Sequence, residues 1–325
     1  MSGSSTVTVQ VPNVMAAAVY RSPGVIAVEE RPVPKPGPDQ LVVKIHSCGI
    51  CGSDIHQLRD GWGFKPGAVA GHEWTGTIAA VGTDVDGWST GEHSDGAFAE
   101  YIVVRAAAVL RLPDGLSARH AALAEPLSVA LHGITRSGVQ PGDTVMVFGA
   151  GPIGALSLAA LHAKGITDVT VVEPHEGRRK LAEDLGATAV VHPGELEVFP
   201  SWEPERLSSR AVHVVLECSG HKAAIEVGFN QLLRGGTLVM VGAGIEHPTF
   251  DINRMILNEL TVTGSFVYDL GGFERALELL ASDDFPADVL IDPAEVPLDG
   301  IGAALEDLAV GRIAGKVMVV PEMRS

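Results

Sequence analysis

The sequence is poor in cysteine and in basic charge. Among 325 residues there are three cysteines, Cys48, Cys51 and Cys218, which are too few for a disulfide framework. Lysine and arginine number 23 against 40 aspartates and glutamates, so the net charge is -17. Because no Lys/Arg cluster interrupts this acidic excess, binding to nucleic acid is electrostatically disfavoured. We therefore expect no nucleic-acid partner.

The sequence also lacks an uninterrupted apolar run and a secretory leader. The longest apolar stretch begins at Val145, and three glycines and a proline fall within its first ten residues. This punctuation indicates a strand, a turn and a helix rather than a membrane span. The first ten residues, MSGSSTVTVQ, have neither the charged nor the apolar region of a signal peptide. We expect no membrane partner and a cytoplasmic location, where thiols stay reduced.

The length of 325 residues predicts two domains, because it exceeds what one core comfortably supports. From Met15 to about Val104, short alternating segments separated by proline and glycine predict a β-rich region. Between about Gln140 and Gly264, apolar strands alternate with helical segments, which predicts βαβ units and a parallel sheet. From about Tyr268 the pattern is mixed again.

A glycine-rich motif follows the first of the apolar strands. Gly149, Gly151 and Gly154 have the G-x-G-x-x-G spacing, with Pro152 and Ile153 between the last two. Gly149 would make the tight turn, Gly151 would let a pyrophosphate approach the backbone, and Gly154 would let helix and strand pack closely. The N-terminus of the following helix would supply N–H groups for the phosphates. These five residues are therefore candidate cofactor-binding residues.

An acidic residue stands at the offset that this motif requires. Glu173 lies 19 residues after Gly154, at the end of the next predicted strand. A carboxylate there accepts hydrogen bonds from a ribose 2′-OH and repels a 2′-phosphate, which favours NAD over NADP. Arg178 and Arg179 follow closely. They would reverse this preference by binding a phosphate if Glu173 points away, whereas the alternative is a solvated helix start. We expect NAD, with NADP as the alternative cofactor.

One thiolate, one imidazole and one or two carboxylates are widely spaced in the sequence. Cys51 is followed by His72 after 21 residues, and Glu125 comes 53 residues later. Structural zinc sites use close pairs of cysteine or histidine, whereas catalytic sites keep one coordination position open. The set therefore fits a catalytic zinc. Glu125 interrupts the apolar run HAALAEPLSVALHG, where a buried carboxylate needs a partner such as a cation.

Each of these residues also has a simpler interpretation. Cys48 and Cys51 form a C-x-x-C that would suit a redox pair, although the neighbouring βαβ pattern of thioredoxin-like proteins is absent. His72 alone would suit a hydrogen-bonded core histidine. Glu73 and Glu125 alone would suit solvated carboxylates.

Eight motifs occur in one order between about Met15 and Val320: CGICGSDIH, AGHEWTGTIAAVG, GAFAEYIVV, AEPLSVALHG, VFGAGPIG, ECSG, LRGGTLVMVG and LTVTGSFVY. In these the chain resembles the medium-chain zinc-dependent alcohol dehydrogenase superfamily, within it the polyol (sorbitol-type) dehydrogenases. The resemblance implies an α/β protein: a GroES-like β-rich catalytic domain with an inserted Rossmann domain, a doubly wound parallel sheet. Residues 1–130 would form the catalytic domain and 131–268 the NAD(P)-binding domain, and 269–325 would return to the first.

The resemblance also implies the metal ligands. Cys51 and His72 match the zinc ligands of the superfamily. Glu125 stands where classical members have a third ligand, a cysteine, and in the polyol branch Glu73 can ligate instead. The choice between the two glutamates stays open. Cys48 matches no ligand and is expected to be a packed thiol.

Three further residues match the catalytic machinery of the superfamily. Ser53 and His56 match the proton relay, and Asp54 matches a residue that orients the metal-site histidine. The implied reaction is reversible oxidation of a secondary alcohol or polyol to a ketone, with hydride transfer to the nicotinamide and Zn²⁺ as Lewis acid. The alternatives are a threonine, aldose or diol dehydrogenase, a zinc-free reductase, or a catalytically silent scaffold protein.

The sequence departs from the superfamily in one place. Only four residues separate Gly91 from Gly96, where relatives carry a lobe of about 40 residues that often holds a structural zinc. We hypothesise that a segment near Glu92 to Ser94 is missing from this sequence. Relatives also pair through the edge of the Rossmann sheet near Gly242 to Pro248, so we expect a homodimer or homotetramer.

Overall fold

The structure is a computed structural model, and it describes residues 11–61, 63, 65–85 and 97–322. The hypothesis of a missing lobe near Glu92 to Ser94 lies outside the described residues. The chain divides into two compact units. The first contains the residues up to Ala122, together with Pro293–Glu306 and the residues from Val317 onward, and the second contains Leu123–Asp292 and Asp307–Lys316.

The helices and strands follow one another in this order in the first part of the chain: β1 (Val14–Ser22), β2 (Val25–Pro32), β3 (Gln40–Gly49), α1 (Gly52–Asp60), β4 (Glu73–Val81), β5 (Tyr101–Arg105), α2 (Ala118–Ala121), α3 (Ala124–Ser137), β6 (Val145–Phe148), α4 (Pro152–Ala163), β7 (Val169–Val172), α5 (Glu176–Asp184) and β8 (Ala189–Val191). The remaining elements are β9 (Val212–Glu217), α6 (Lys222–Asn230), β10 (Leu232–Met240), α7 (Ile252–Leu257), β11 (Thr261–Gly264), α8 (Gly272–Leu280), α9 (Ala287–Leu290), β12 (Ile291–Val296), α10 (Ile301–Ala309) and β13 (Lys316–Val319).

The first unit is β-rich, as the proline- and glycine-punctuated sequence predicts. Its central strand is β3, which pairs antiparallel with β4 along one edge and with β5 and β13 along the other. Strands β1 and β2 form an antiparallel pair. Residues 97–100 connect this pair to the rest of the unit, since the Ala18 N–H donates to the Phe98 carbonyl at 2.8 Å. The small side chains of Ala17 and Ala99 are buried at this junction.

The second unit contains a six-stranded parallel sheet in the order β11-β10-β9-β6-β7-β8. All four residues of β6 are buried, as expected for a strand covered on both faces. Helix α4 is apolar around nearly its whole circumference and is buried accordingly. Phe148, Val215 and Phe229 belong to the hydrophobic core of this unit. The predicted α/β architecture, with a doubly wound parallel sheet, is thus present.

The boundary between the units differs from the division expected from the resemblance. The predicted return to the first domain at residue 269 comes too early, because α8 packs against α3 and stays with the parallel-sheet unit. The chain returns at Pro293 instead. It enters the second unit once more over Asp307–Lys316. Likewise, the first unit extends to Ala122 rather than to residue 130, because α3 belongs to the second unit.

Candidate metal and cofactor sites

Helix α1 fixes the position of the Cys51 thiol. Cys51 is the residue that caps the N-terminus of α1, with extended backbone angles. Its own N–H donates to Asp54 Oδ2 at 2.9 Å, so a side chain in the first helical turn folds back on the cap. This arrangement is half of a capping box, in which an acidic residue in the first turn stabilises the helix start. The sequence CGSD therefore holds the thiol at a rigid helix end.

The β3–β4 pairing fixes the Glu73 carboxylate. Glu73 is fully buried and pairs with Gly49 in the ladder between the two strands. A Cβ built on Gly49 would lie 2.1 Å from Glu73 Oε2. Only glycine leaves this space, so Gly49, two positions before Cys51, makes room for a carboxylate that lies 24 positions further on. His72 directly precedes Glu73, the first residue of β4.

Three potential metal ligands meet at this point of the first unit. The ligand atoms of Cys51, His72 and Glu73 all lie within 4.8 Å of one another. His72 Nδ1 also lies 3.7 Å from Asp54 Oδ1. A thiolate, an imidazole and a carboxylate are the donors from which zinc sites are built, and three protein ligands are typical of a catalytic zinc. The residues present therefore fit the Zn²⁺ that the sequence predicts.

The electrostatics of this group favour a bound cation. Burial lowers the pKa of His72, but the hydrogen bond with Cys51 and the negative charges of Asp54, Cys51 and Glu73 outweigh burial and raise this pKa to about 10. Without a metal, a proton on the imidazole thus balances several acidic groups. A divalent cation would balance them more completely, because it would displace that proton and neutralise the thiolate and carboxylate together.

Cys48 is separate from this group. Its side chain is fully buried, and a Cβ built on Gly71 would lie 2.9 Å from its Sγ atom. The Cys48 thiol donates to the Gly49 carbonyl at 3.7 Å, and neither Cys48 nor Cys51 forms a disulfide. Packing against a glycine turn accounts for Cys48 without any redox partner, in line with the prediction of a packed thiol.

Ser53 and His56 lie on α1, directly after the Cys51 thiol. They are three residues apart, so their side chains share one face of the helix. Both are partly exposed. The structure thus places the two predicted relay residues one helical turn from each other, and their role stays a prediction.

Glu125 lies in the second unit, in the first turn of α3. Its charge acts on Tyr268 of the same unit: burial and the neighbouring carboxylate both raise the pKa of the tyrosine phenol. The ligand group within the first unit contains Glu73. A metal-binding role for Glu125 stays a prediction.

The glycine-rich turn between β6 and α4 has the geometry that its spacing predicts. Gly149 has φ 88°, Gly151 caps the N-terminus of α4, and Pro152 and Ile153 begin the helix. A Cβ built on Gly154 would lie 1.8 Å from the Gly149 carbonyl oxygen. Helix and strand could not approach this closely with any other residue there.

Glu173 directly follows β7 and is only 2% exposed. Its Oε2 accepts a hydrogen bond from the Ala150 N–H at 2.8 Å, and its Oε1 accepts one from the His175 N–H at 2.9 Å. The carboxylate therefore ties the glycine-rich turn to the start of α5. Each carboxylate oxygen can accept a second hydrogen bond, so a ribose hydroxyl could still be bound.

The two arginines after Glu173 have different surroundings. Arg178 donates to the carbonyls of Leu308 at 2.8 Å and Ile313 at 3.3 Å, and burial lowers the pKa of its guanidinium. Its Nη1 would be 3.9 Å from a Cβ on Gly151, so it also borders the cofactor turn. Arg179 donates to the carbonyls of Glu173 and Pro174. Both arginines are thus held by backbone carbonyls beside the candidate ribose site.

Sequence reasoning missed one element of this region. The turn that follows β9, Glu217–Gly220, contacts the glycine-rich turn: a Cβ built on Gly149 would lie 3.0 Å from Ser219 Cβ. Glu217 is fully buried and accepts hydrogen bonds within its own turn. The signal in the sequence is the motif ECSG, an acid at the end of an apolar strand with serine and glycine after it.

Among the described residues, no helix is long and apolar enough to cross a membrane.

Two family models match the chain. Residues 37–114 match the alcohol dehydrogenase GroES-like domain, and residues 152–282 match the zinc-binding dehydrogenase domain. Each match falls within one of the two units.

Individual proteins are similar over most of the chain. Sorbitol dehydrogenase of Macaca fascicularis is 30% identical, with 87% of this chain and 93% of the relative covered. D-xylulose reductase A of Aspergillus oryzae is 32% identical, with 79% and 83% covered. Among solved structures, 2R,3R-butanediol dehydrogenase from Bacillus subtilis has a TM-score of 0.83 at 29% identity, with 95% of this chain and 100% of that chain covered. A zinc-binding dehydrogenase from Sinorhizobium meliloti 1021 bound to NADP gives the same values.

Proposed function

The chain belongs to the zinc-dependent medium-chain alcohol dehydrogenases, and on that premise we propose that it interconverts a secondary alcohol of a polyol and the corresponding ketone with NAD. The observation that carries this proposal is the approach of the Cys51, His72 and Glu73 ligand atoms to within 4.8 Å. Zinc, when bound, is a Lewis acid that lowers the pKa of an alcohol hydroxyl, and the nicotinamide, when bound, accepts the hydride.

Residues of the first unit would bind the metal and orient one of its ligands. Cys51 Sγ, His72 and Glu73 would hold the ion, and Glu125 is the alternative carboxylate. Asp54 Oδ1 lies 3.7 Å from His72 Nδ1, so the carboxylate would help to orient the imidazole as a metal ligand. Such carboxylate partners fix the orientation of a ligating imidazole and raise its basicity.

The first helix supplies the route for the proton. Ser53 Oγ accepts the proton from the substrate hydroxyl while its own hydroxyl proton passes on toward His56. His56, one turn further along α1, takes it toward solvent, since histidine exchanges protons readily near neutral pH. Neither residue contributes to the ligand group, so substitution of either should slow turnover without loss of metal.

The second unit would hold the dinucleotide. The α4 N-terminus after Gly151 presents unpaired N–H groups and the positive end of the helix dipole to the pyrophosphate. Glu173 would accept hydrogen bonds from the adenine ribose, which supports NAD over NADP. Arg178 and Arg179 border this site, and a related structure at 29% identity holds NADP. NADP is therefore the second candidate cofactor.

The substrate class rests on the relatives. Proteins called sorbitol dehydrogenase and D-xylulose reductase are 30% and 32% identical to this chain, which supports a polyol and its ketose. The butanediol dehydrogenase structure supports a small vicinal diol as the second candidate. NADH absorbance on a panel of sorbitol, xylitol, 2,3-butanediol and threonine would rank these substrates by kcat/KM. Highest activity on threonine would contradict the proposed class.

The metal assignment is tested by three single substitutions. Cys51→Ala and His72→Ala should abolish turnover and lower the zinc content measured by mass spectrometry, because each removes a ligand. Cys48→Ala is the matched control: it removes a buried thiol three positions away and should keep both zinc and activity. Full turnover of Cys51→Ala would remove zinc from the mechanism.

We also infer a homodimer or homotetramer built through β11, the outermost strand at one end of the six-stranded sheet. Ile252 and Ile256 on α7 and Phe266 after β11 are largely exposed, which supports a protein contact there. Ile256→Glu should lower the mass in light scattering, whereas Val198→Glu, at another exposed apolar position, should not. None of the three cysteines forms a disulfide, which supports a reducing compartment, and we propose the cytoplasm.

A further inference from the structure

The strand order of the parallel sheet reverses between β6 and β9. From β6 the chain proceeds to β7 and β8 on one side, and it then returns to β9, β10 and β11 on the other. In open α/β sheets, ligands bind outside the carboxyl ends of the strands at such a switch point. One wall of this crevice is the glycine-rich turn after β6. The other wall is the turn Glu217–Gly220 after β9.

Glu217 organises this second turn from within. Its carboxylate is fully buried and accepts hydrogen bonds from the N–H of Ser219 at 2.8 Å and from the N–H of Gly220 at 3.1 Å. The Ser219 hydroxyl donates to the same carboxylate. Gly220 has φ 70°, so the turn closes in a conformation that favours glycine. One side chain therefore determines the fold of its own turn.

The two turns contact each other closely. A Cβ on Gly149 would lie 3.0 Å from Ser219 Cβ and 3.3 Å from Ser219 N. The Cys218 N–H donates to the Phe148 carbonyl at 2.9 Å, which ties the end of β9 to the end of β6. A displacement of Ser219 would therefore be transmitted directly to the turn at which the pyrophosphate is expected to bind.

Glu217 is held in this place at an energetic cost. Burial raises the pKa of its carboxyl, and hydrogen bonds from Ser219 and Gly220 offset only part of that effect. Its hydrogen-bond donors among the described residues are backbone N–H groups and one hydroxyl, with no lysine or arginine. An apolar residue would be less costly at the buried end of an apolar strand.

We propose that Glu217 is a positioning residue for dinucleotide binding: it folds the 217–220 turn so that Ser219 supports Gly149 and holds the pyrophosphate turn in its binding conformation. This inference rests on the proposed use of NAD. It goes beyond the proposed function because it assigns the second wall of the cofactor crevice and makes one buried carboxyl responsible for its shape.

The test measures cofactor affinity and turnover separately. Glu217→Gln keeps the shape of the side chain but replaces one accepting oxygen with a donor. The N–H groups of Ser219 and Gly220 and the Ser219 hydroxyl then share a single accepting oxygen. NADH fluorescence titration should show a dissociation constant raised about tenfold, the effect of one misplaced hydrogen bond to a charged group. The KM for NAD should rise with it, whereas kcat at saturating NAD and the zinc content should change less than about twofold.

Glu197→Gln is the matched control. Glu197 also accepts hydrogen bonds from a serine N–H and a serine hydroxyl, both of Ser209, but in the loop before β9. The Glu197→Gln substitution should leave NADH affinity unchanged. Equal NADH affinity of folded Glu217→Gln and the wild type would overturn the inference, as would an equal loss in Glu197→Gln. If the wild type itself fails to bind NADH or NADPH, the proposed function fails instead.

A measurement on the unaltered protein covers the case in which Glu217→Gln does not fold. NADH at saturation should slow amide hydrogen exchange at Ser219 and Gly220 at least about threefold, because the turn borders the bound cofactor and is stabilised by it. The N–H groups of the Ser208–Ser209 turn serve as the internal control. Unchanged exchange at Ser219 and Gly220 in the presence of bound NADH would overturn the inference.

Discussion

Gly154→Ala should destabilise the parallel-sheet unit, because the added methyl group has no room. Its Cβ would lie 1.8 Å from the Gly149 carbonyl oxygen and 2.9 Å from the Gly149 carbonyl carbon. Both are backbone atoms, so no side-chain rotation relieves the overlap, and α4 must move away from β6. Overpacking of this kind costs about 1–3 kcal/mol. For a unit of this size, the melting temperature should fall by about 2–12 °C.

Gly151→Val should weaken cofactor binding and leave the stability of the protein almost unchanged. A Cβ at this position meets only Arg178, at 3.9 Å, which is an ordinary contact. The backbone φ of −67° suits any residue, so the stability should change by less than about 1 kcal/mol. The side chain would instead occupy the space that a pyrophosphate needs to approach the N–H groups of α4. Loss of one such charge-assisted hydrogen bond, about 1.5–3 kcal/mol, corresponds to about 10–150-fold weaker NADH binding.

The two variants are compared by thermal unfolding and by NADH fluorescence titration on the same preparations. Gly154→Ala should lose stability first and affinity as a consequence, and Gly151→Val should lose affinity alone. A Gly151→Val protein that melts as early as Gly154→Ala would refute the assignment of Gly151 to ligand approach. A Gly154→Ala protein with the melting temperature of the wild type would refute the steric reasoning.

Three further substitutions test separate parts of the molecule. Asp54→Asn keeps an oxygen that accepts the Cys51 N–H but removes a negative charge beside His72. In metal-free protein the pKa of His72, followed by NMR, should therefore fall from about 10. Zinc affinity should drop about 10–100-fold. Glu173→Gln should raise the kcat/KM ratio of NADP to NAD about tenfold, a change of about 1.4 kcal/mol, and an unchanged ratio would mean that another residue contacts the ribose. Arg254→Met, which leaves three backbone carbonyls without a buried guanidinium, should lower the free energy of unfolding by about 2–4 kcal/mol in urea, with NADH affinity retained as the sign that the loss is structural.

The cofactor turn was predictable from sequence because its determinants are local. Strand, glycine spacing and helix are contiguous from β6 through α4, and Glu173 follows at the end of the next strand. Each of these features depends on backbone geometry within a few residues. The identity of Gly154, for example, follows from a contact with Gly149 only five positions away.

The metal group and the domain boundary depend on contacts between distant parts of the chain. Residue types suggested Cys51 and His72, but the space for Glu73 comes from its pairing with Gly49, which no local pattern reveals. The boundary at 269 was expected from the resemblance and from the mixed sequence pattern after Tyr268, whereas the packing of α8 on α3 keeps this segment in the second unit. Glu217 was missed because, apart from the Ser219 hydroxyl, its hydrogen-bond donors are backbone N–H groups, which nearly every residue type carries.

The strands on both sides of β6 end in a buried glutamate, and this has consequences for anion binding. Phe148, the last residue of β6, pairs with Glu217 on one side and with Val172, directly before Glu173, on the other. Two carboxylates beside a pyrophosphate would repel it, and the N-terminus of α4 offers only about half a positive charge. Arg178 interacts electrostatically with Glu173 and borders Gly151, which compensates one carboxylate. The charge of the other, Glu217, is offset in part by the N–H groups of Ser219 and Gly220, which donate to its carboxylate. The site can therefore use both glutamates as braces without excluding an anionic ligand.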